Sequence, residues 1–167
     1  MIKMKKILII ILLTIYNTSI QATNQEIIEW SSQQARGLLE FSYQNNPNDY
    51  WQPYKLSFTK NGWADFQKNL QKSDTIKIIK EFKLSSHISF SNKSTISAIK
   101  KDAWQLNLPA TIIYAGKKVA TSYNIIINMT IKIANHKQLI ENMKTTVIGL
   151  TNQKSIYPRG CHLRQYS

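Results

Sequence analysis

The sequence predicts an α+β fold, with helices first and an antiparallel meander after them. Three observations carry this. Apolar residues recur at spacings of three and four from Ile27 to Leu70, and the period drops to two from about Lys83. Thr23 and Thr59 stand where helix caps belong. With 167 residues there is room for one domain, but not for an α/β barrel or a two-domain nucleotide enzyme. Hydrophobic residues make up 43%, which excludes a disordered composition.

The chain opens with Lys3, Lys5 and Lys6, followed by an apolar run from Ile7 to Tyr16 and a polar stretch ending at Ala22. This three-part pattern predicts a secretory signal peptide over residues 1–22, cut between Ala22 and Thr23. The apolar run is well short of the roughly 20 residues a spanning helix needs. The other reading is an uncleaved short anchor, since Ile20 is bulky for the position before a cut. Cleavage leaves 145 residues, enough for one stable core.

Thr23 and Glu26 fit a capping box, and the stripe Ile27, Trp30, Gln34, Leu38 and Phe41 predicts a helix over 24–44. Asn45 to Asp49 is turn chemistry. Residues 50–60 are mixed and aromatic. Thr59 then caps a second helix through Trp63, Phe66 and Leu70, broken at Ser73-Asp74. Residues 75–81 suit a short helix or a strand.

Leu84, Ser86, Ile88 and Phe90 mark a first strand, and 95–100 a second. Trp104, Leu106, Leu108, Ala110, Ile112 and Tyr114 alternate along a long strand over 103–114. Pro109 inside it calls for an edge or a bulge. Ala115 to Lys118 forms a hairpin loop, and 119–134 returns with Tyr123, Ile125, Ile127, Met129, Ile131 and Ile133 on one face. Val147 to Leu150 is a weaker strand candidate. The expected organisation is a domain over 23–150 and a loose polar tail over 151–167.

The charge is +13, from 22 Lys+Arg against 9 Asp+Glu. It invites an anionic partner, either nucleic acid or an acidic membrane surface. Against that, the cations are 19 Lys and 3 Arg, beside 25 Ile and 14 Asn. Those codons are AT-rich, so genome composition alone produces the skew, and nucleic-acid sites favour Arg. Core packing is also the better reading of Trp30, Trp51, Trp63 and Trp104, so few aromatics are left to stack on bases.

No phosphate-binding glycine loop, zinc-protease helix, CxxC or nucleophile elbow is present. One cysteine and three dispersed histidines offer neither a disulfide framework nor a metal cluster. Cofactors, metals and catalytic residues are therefore expected to be none. His87 with Asp102 is the remaining acid–base candidate, and an ordinary strand histidine is the simpler reading. Cys161 beside His162 reads as an incidental thiol, with an intermolecular disulfide as the alternative.

Two segments together resemble a family. Phe58 to Phe66 has the form FTxxGWxxF. Asp102 to Pro109, with Ile113-Tyr114 and Asn128 to Ile131, is similar to the WxvxxPxxvxY…vxMxI core of the DotI/IcmL proteins. Trp30 and Phe41-Ser42-Tyr43 sit where that family carries a helix with an aromatic end. The resemblance spans about residues 27–134.

It implies a cystatin-like α+β roll, with N-terminal helices on a curved antiparallel sheet of about three to four strands. It also implies a non-enzymatic periplasmic part in the Dot/Icm type IVB secretion apparatus. On this reading Trp63, Phe66, Trp104, Pro109 and Tyr114 shape the core. The partners would be other secretion-system proteins or a second copy, with no small-molecule substrate and no nucleic acid. Membrane contact would run only through the N-terminal segment if that stays uncleaved. The chain departs from the family in lacking a full spanning helix and in carrying Gly149 to Asn152 in place of the Gln-Phe ending. The remaining alternatives are an exported binder of an anionic partner and a small enzyme on the same roll.

Overall fold

The computed structural model describes residues 23–117 and 119–155. The signal segment, Lys118, Cys161, His162 and the tail beyond Ser155 lie outside the described residues. Helices α1 (Asn24–Leu39), α2 (Pro47–Tyr50), α3 (Lys60–Lys72) and α4 (Thr75–Glu81) precede β1 (Ser85–Phe90), β2 (Thr95–Lys100), β3 (Ala103–Ala115), β4 (Val119–Ala134) and β5 (Lys137–Ser155). A 3-10 turn over Gln52–Ser57 joins α2 to α3. The antiparallel sheet runs β1-β3-β4-β5, with β2 pairing β3 beyond the end of β1.

Both predicted caps form. Thr23 Oγ1 accepts from Glu26 N at 3.3 Å, and Glu26 Oε2 accepts from Thr23 N at 2.6 Å. Thr59 Oγ1 accepts from Gly62 N at 3.1 Å. Each such cap contributes about 1 kcal/mol.

Helix α1 ends at Leu39, five residues before its predicted end. From Phe41 the chain runs beside β1 instead. Ser86 N donates to Phe41 O and Tyr43 N to Leu84 O, both at 2.9 Å. The Ser86 hydroxyl accepts from Phe41 N at 2.7 Å and donates to Leu39 O at 2.6 Å. This is why a serine occupies a core-facing strand position.

Residues 75–81 form a helix rather than a strand, because a Schellman closure ends it. Lys83 sits at φ 51°, its N–H reaches Lys80 O at 3.3 Å, and Leu84 N reaches Ile79 O at 2.9 Å. Leu84 and Ile79 are both buried.

Pro109 lies in the interior strand β3 but costs no bond within β1 or β2. Its carbonyl accepts from Ser91 N at 2.8 Å. The nitrogen therefore faces the same side, where β1 has ended at Ala110 and β2 begins only at Asn107. The missing N–H falls in the gap between the two short strands.

The sheet has five strands rather than three to four, and the fifth runs past residue 150 to Ser155. A two-residue turn starts it, with Asn135 at φ 51° and His136 at φ 60°, as a type I′ hairpin requires.

The core lies between the helices and one sheet face. Ile27 and Leu38 from α1 meet Leu106, Leu108, Ile125, Ile127, Met129, Ile131 and Ile140 from the sheet, all essentially excluded from solvent. Each such side chain contributes about 1.5–3 kcal/mol of burial.

Candidate interaction surface

The residues that carry the family resemblance fall in two places. Trp63 and Phe66 join Phe41, Tyr50, Trp51 and Phe58 in one aromatic cluster. Phe41 stacks on Trp51 at 4.7 Å, and Trp63 lies 5.5 Å from Phe58 and 5.6 Å from Phe66. Trp51 donates from Nε1 to Leu38 O at 3.0 Å, and the Tyr50 hydroxyl donates to Glu40 O. Trp51 is as deeply buried as Trp63, although nothing periodic surrounds it in sequence. Trp104, Pro109 and Tyr114 lie along β3, all half-buried. Tyr114 contacts Tyr123 edge-on at 6.2 Å. Burial, reinforced by Tyr123, pushes the Tyr114 hydroxyl up to about 12.

Trp63, Phe66, Trp104 and Tyr114 face inward, whereas Pro109, between the core residues Leu108 and Ala110, falls on the opposite face of the sheet and does not shape the core as expected; no reactive group converges on them. His87 is exposed opposite Ile113, whereas Asp102 lies before the far end of β3. Eleven residues of strand separate the two, roughly 35 Å, so they form no acid–base pair. No group of three His, Cys, Asp or Glu among the described residues is placed to hold a metal ion. A polar cleft beside the start of α3 holds Lys60, Asp65, Lys132 and Glu141, without a histidine or a thiol. The lysines are dispersed as well. Lys100 and Lys101 sit at one end of β3 and Lys117 at the other, roughly 40 Å apart. Lys80 is used internally, donating to Tyr43 O at 2.6 Å and Asn45 O at 2.5 Å.

The solvent face of the sheet is largely polar, with Lys132 and Lys144 on it beside the exposed Ile113. Thr111 Oγ1 donates to Asn124 Oδ1 at 3.0 Å, and Thr130 Oγ1 to Gln105 Oε1 at 3.1 Å.

The edges at β1 and β5 differ sharply. The outer edge of β1 is sealed. Besides the Phe41 and Tyr43 bonds, Ile88 N donates to Glu40 Oε1 at 3.0 Å, and Arg36 Nη1 donates to Ile88 O at 3.3 Å. Arg36 and Glu40, themselves 3.4 Å apart, thus stand in for a neighbouring strand.

Among the described residues, the outer edge of β5 is covered only at its start. Thr59 N donates to Ile140 O at 3.0 Å, and Phe58 bridges Ile140 in parallel. From Asn142 to Thr151 no other described residue bonds to that edge. Val147 is 57% exposed, Ile148 59% and Leu150 53%. An open strand edge with large apolar side chains is a surface other chains can pair with. Sequence reasoning reached Val147 to Leu150 as a strand but could not show that it lies at the edge.

No helix among the described residues is long and apolar enough to cross a membrane. Comparison with curated proteins found no match. Among solved structures, the chain is similar to an IcmL-like type IV secretion system protein from Legionella pneumophila subsp. pneumophila str. Philadelphia 1. The TM-score is 0.70 at 14% identity, covering 83% of this chain and 98% of that one. It is also similar to the periplasmic domain of DotI, with TM-score 0.68 and 18% identity over 75% of this chain and 96% of that one. A periplasmic fragment of TraM gives TM-score 0.66 and 13% identity over 76% and 99%. These likenesses establish the shared α+β fold.

The family model of the type IVb secretion system inner-membrane complex component matches residues 10–148, a span that takes in every described helix and most of the described sheet; the chain belongs to the DotI/IcmL family.

Proposed function

We propose that the chain is a non-enzymatic, periplasmic assembly protein of a type IVB secretion apparatus, working through protein–protein contact at the open edge of β5. The observation that carries this reading is the contrast between the sealed β1 edge and the exposed Val147, Ile148 and Leu150 on β5. A sheet edge left open from Asn142 onward recruits strands or apolar surfaces. Family membership supports the secretion context, and the shared fold with the periplasmic domain of DotI and a periplasmic fragment of TraM supports the compartment. The segment before Thr23 serves export and is removed after Ala22.

The test is secretion of a reporter substrate by cells carrying Val147→Lys with Ile148→Lys at the native locus. The expected result is loss of secretion and of co-purification with the inner-membrane complex, at unchanged protein level and helix content. Full secretion by this variant would overturn the reading. The mass of the exported protein should begin at Thr23, and an intact Met1 in the membrane fraction would replace export by anchoring.

A further inference from the structure

The edge used in the proposed function also has the properties of a self-pairing surface, and this inference rests on that reading. We propose that its occupant is a second copy of this chain, which lays its own β5 antiparallel beside the first and joins the two sheets into one.

Charge restricts where two copies can meet. A chain with 22 Lys+Arg against 9 Asp+Glu repels itself wherever lysines face each other. Along the open edge, Thr145 to Thr151 carries no charge at all, and Lys144 is the single cation between Asn142 and Thr151. Head-to-tail addition of copies would need a long free edge on the side of β1 and β2. There β1 is closed by Phe41, Tyr43, Arg36 and Glu40, and β2 offers only six residues, ending in Lys100 and followed by Lys101. Pairing through β5 alone uses the same surface on both copies and closes at a two-fold dimer instead of growing into a filament.

The bulges set the register. Against β4, Glu141 is the extra residue between Ile140 and Asn142, and Ile148 the extra one between Val147 and Gly149. Extra residues disrupt pairing, so Asn142 to Val147 is the regular run on the open edge. A two-fold axis normal to the sheet sets one residue opposite itself. At Lys144 it would oppose two ammonium groups. At Met143 or Thr146 only one regular pair flanks the axis before Glu141 or Ile148, the bulged residues, is reached, against two at Thr145. At Thr145 it opposes Thr145 to itself, Lys144 to Thr146 and Met143 to Val147. The partner's Met143 then covers the apolar surface that Val147 leaves exposed, a cross-strand contact of the kind that stabilises sheets.

The experiment uses the exported full chain with Cys161→Ser as background. Opposed residues of an antiparallel pair come close enough for a disulfide, with Cα atoms about 4.5–5.5 Å apart. Thr145→Cys should give a disulfide-linked dimer on mild oxidation at least tenfold faster than Thr146→Cys, whose two copies sit diagonally on the other face. Sedimentation of the background protein should show a concentration-dependent dimer that Val147→Lys abolishes. Equal cross-linking rates for the two cysteine variants, or a dimer indifferent to Val147→Lys, would overturn the self-pairing. If the pairing fails while the lysine variants still block secretion, the assembly reading stands and its partner is a different protein.

Discussion

A Cβ atom on Gly62 would lie 2.5 Å from the carbonyl oxygen of Ile140 and 2.8 Å from that of Glu141. Helix α3 therefore touches the backbone of β5 at its first turn, where Thr59 N also bonds Ile140 O. The obstructing atoms are main chain and cannot swing aside. Gly62→Ala gains up to about 1 kcal/mol of helix propensity but must push strand and helix apart, an overpacking that costs typically 1–3 kcal/mol. Urea denaturation should show net destabilisation. An unchanged or raised midpoint would mean the contact is loose.

Trp51, Trp63 and Trp104 should not respond alike. Trp51→Ala and Trp63→Ala remove buried rings and should each cost about 3–5 kcal/mol. Trp51→Ala also orphans the Leu38 carbonyl. Trp104 is half-buried, so Trp104→Ala should cost distinctly less, about 1–3 kcal/mol on the same scale. Melting curves of the three variants check the order, and a Trp104 effect as large as that of Trp63 would contradict it.

Lys83 holds a left-handed conformation that an L side chain adopts at a cost of about 1–2 kcal/mol. Glycine carries no such cost. Lys83→Gly should therefore raise the unfolding midpoint, through a gain in stability of up to about 1 kcal/mol once the greater freedom of the unfolded chain is counted. A lower midpoint would show that the lysine side chain makes a compensating contact.

Tyr114 loses a proton less readily in the folded chain than in the unfolded one. Its native state keeps the proton up to about pH 12, while the unfolded chain releases it near pH 10. Its share of stability is thus complete below about pH 10 and falls away as pH rises toward 12, a difference of roughly 2–3 kcal/mol. Lysines titrate in the same range, so the measurement is the difference between wild type and Tyr114→Phe. That difference should shrink steeply between pH 10 and 12. A constant difference would place the hydroxyl in contact with water.

Much of the architecture was legible because local chemistry and tertiary demand agree there. Thr23 with Glu26 and Thr59 with Gly62 are caps made within four residues, and β3 and β4 keep an unbroken period of two. The aromatic cluster was only half legible. Trp63 and Phe66 stand at helical spacing, whereas Trp51 sits in a 3-10 connection whose burial depends on Phe41 and Leu38 arriving from α1.

The sequence alone determined the order of helices before strands, the two capped helix starts, the long β3–β4 hairpin and the resemblance to a secretion family, since each rests on neighbours along the chain. The tertiary structure decided what spacing cannot carry. Phe41 continues a helical stripe, yet its backbone bonds Ser86 and ends the helix early. Bulges at Glu141, Ile148 and Thr151 shift the alternation of β5, and its turn is Asn-His rather than Asn-Gly, so a 19-residue strand shows only a fragment of period two. Which edge stays open was decided last. The Glu40 carboxylate and Arg36 guanidinium reach Ile88 across about fifty positions of chain, and nothing in the sequence places comparable groups against Val147. Edge protection is a contact between distant segments, so it exists only once the chain has folded.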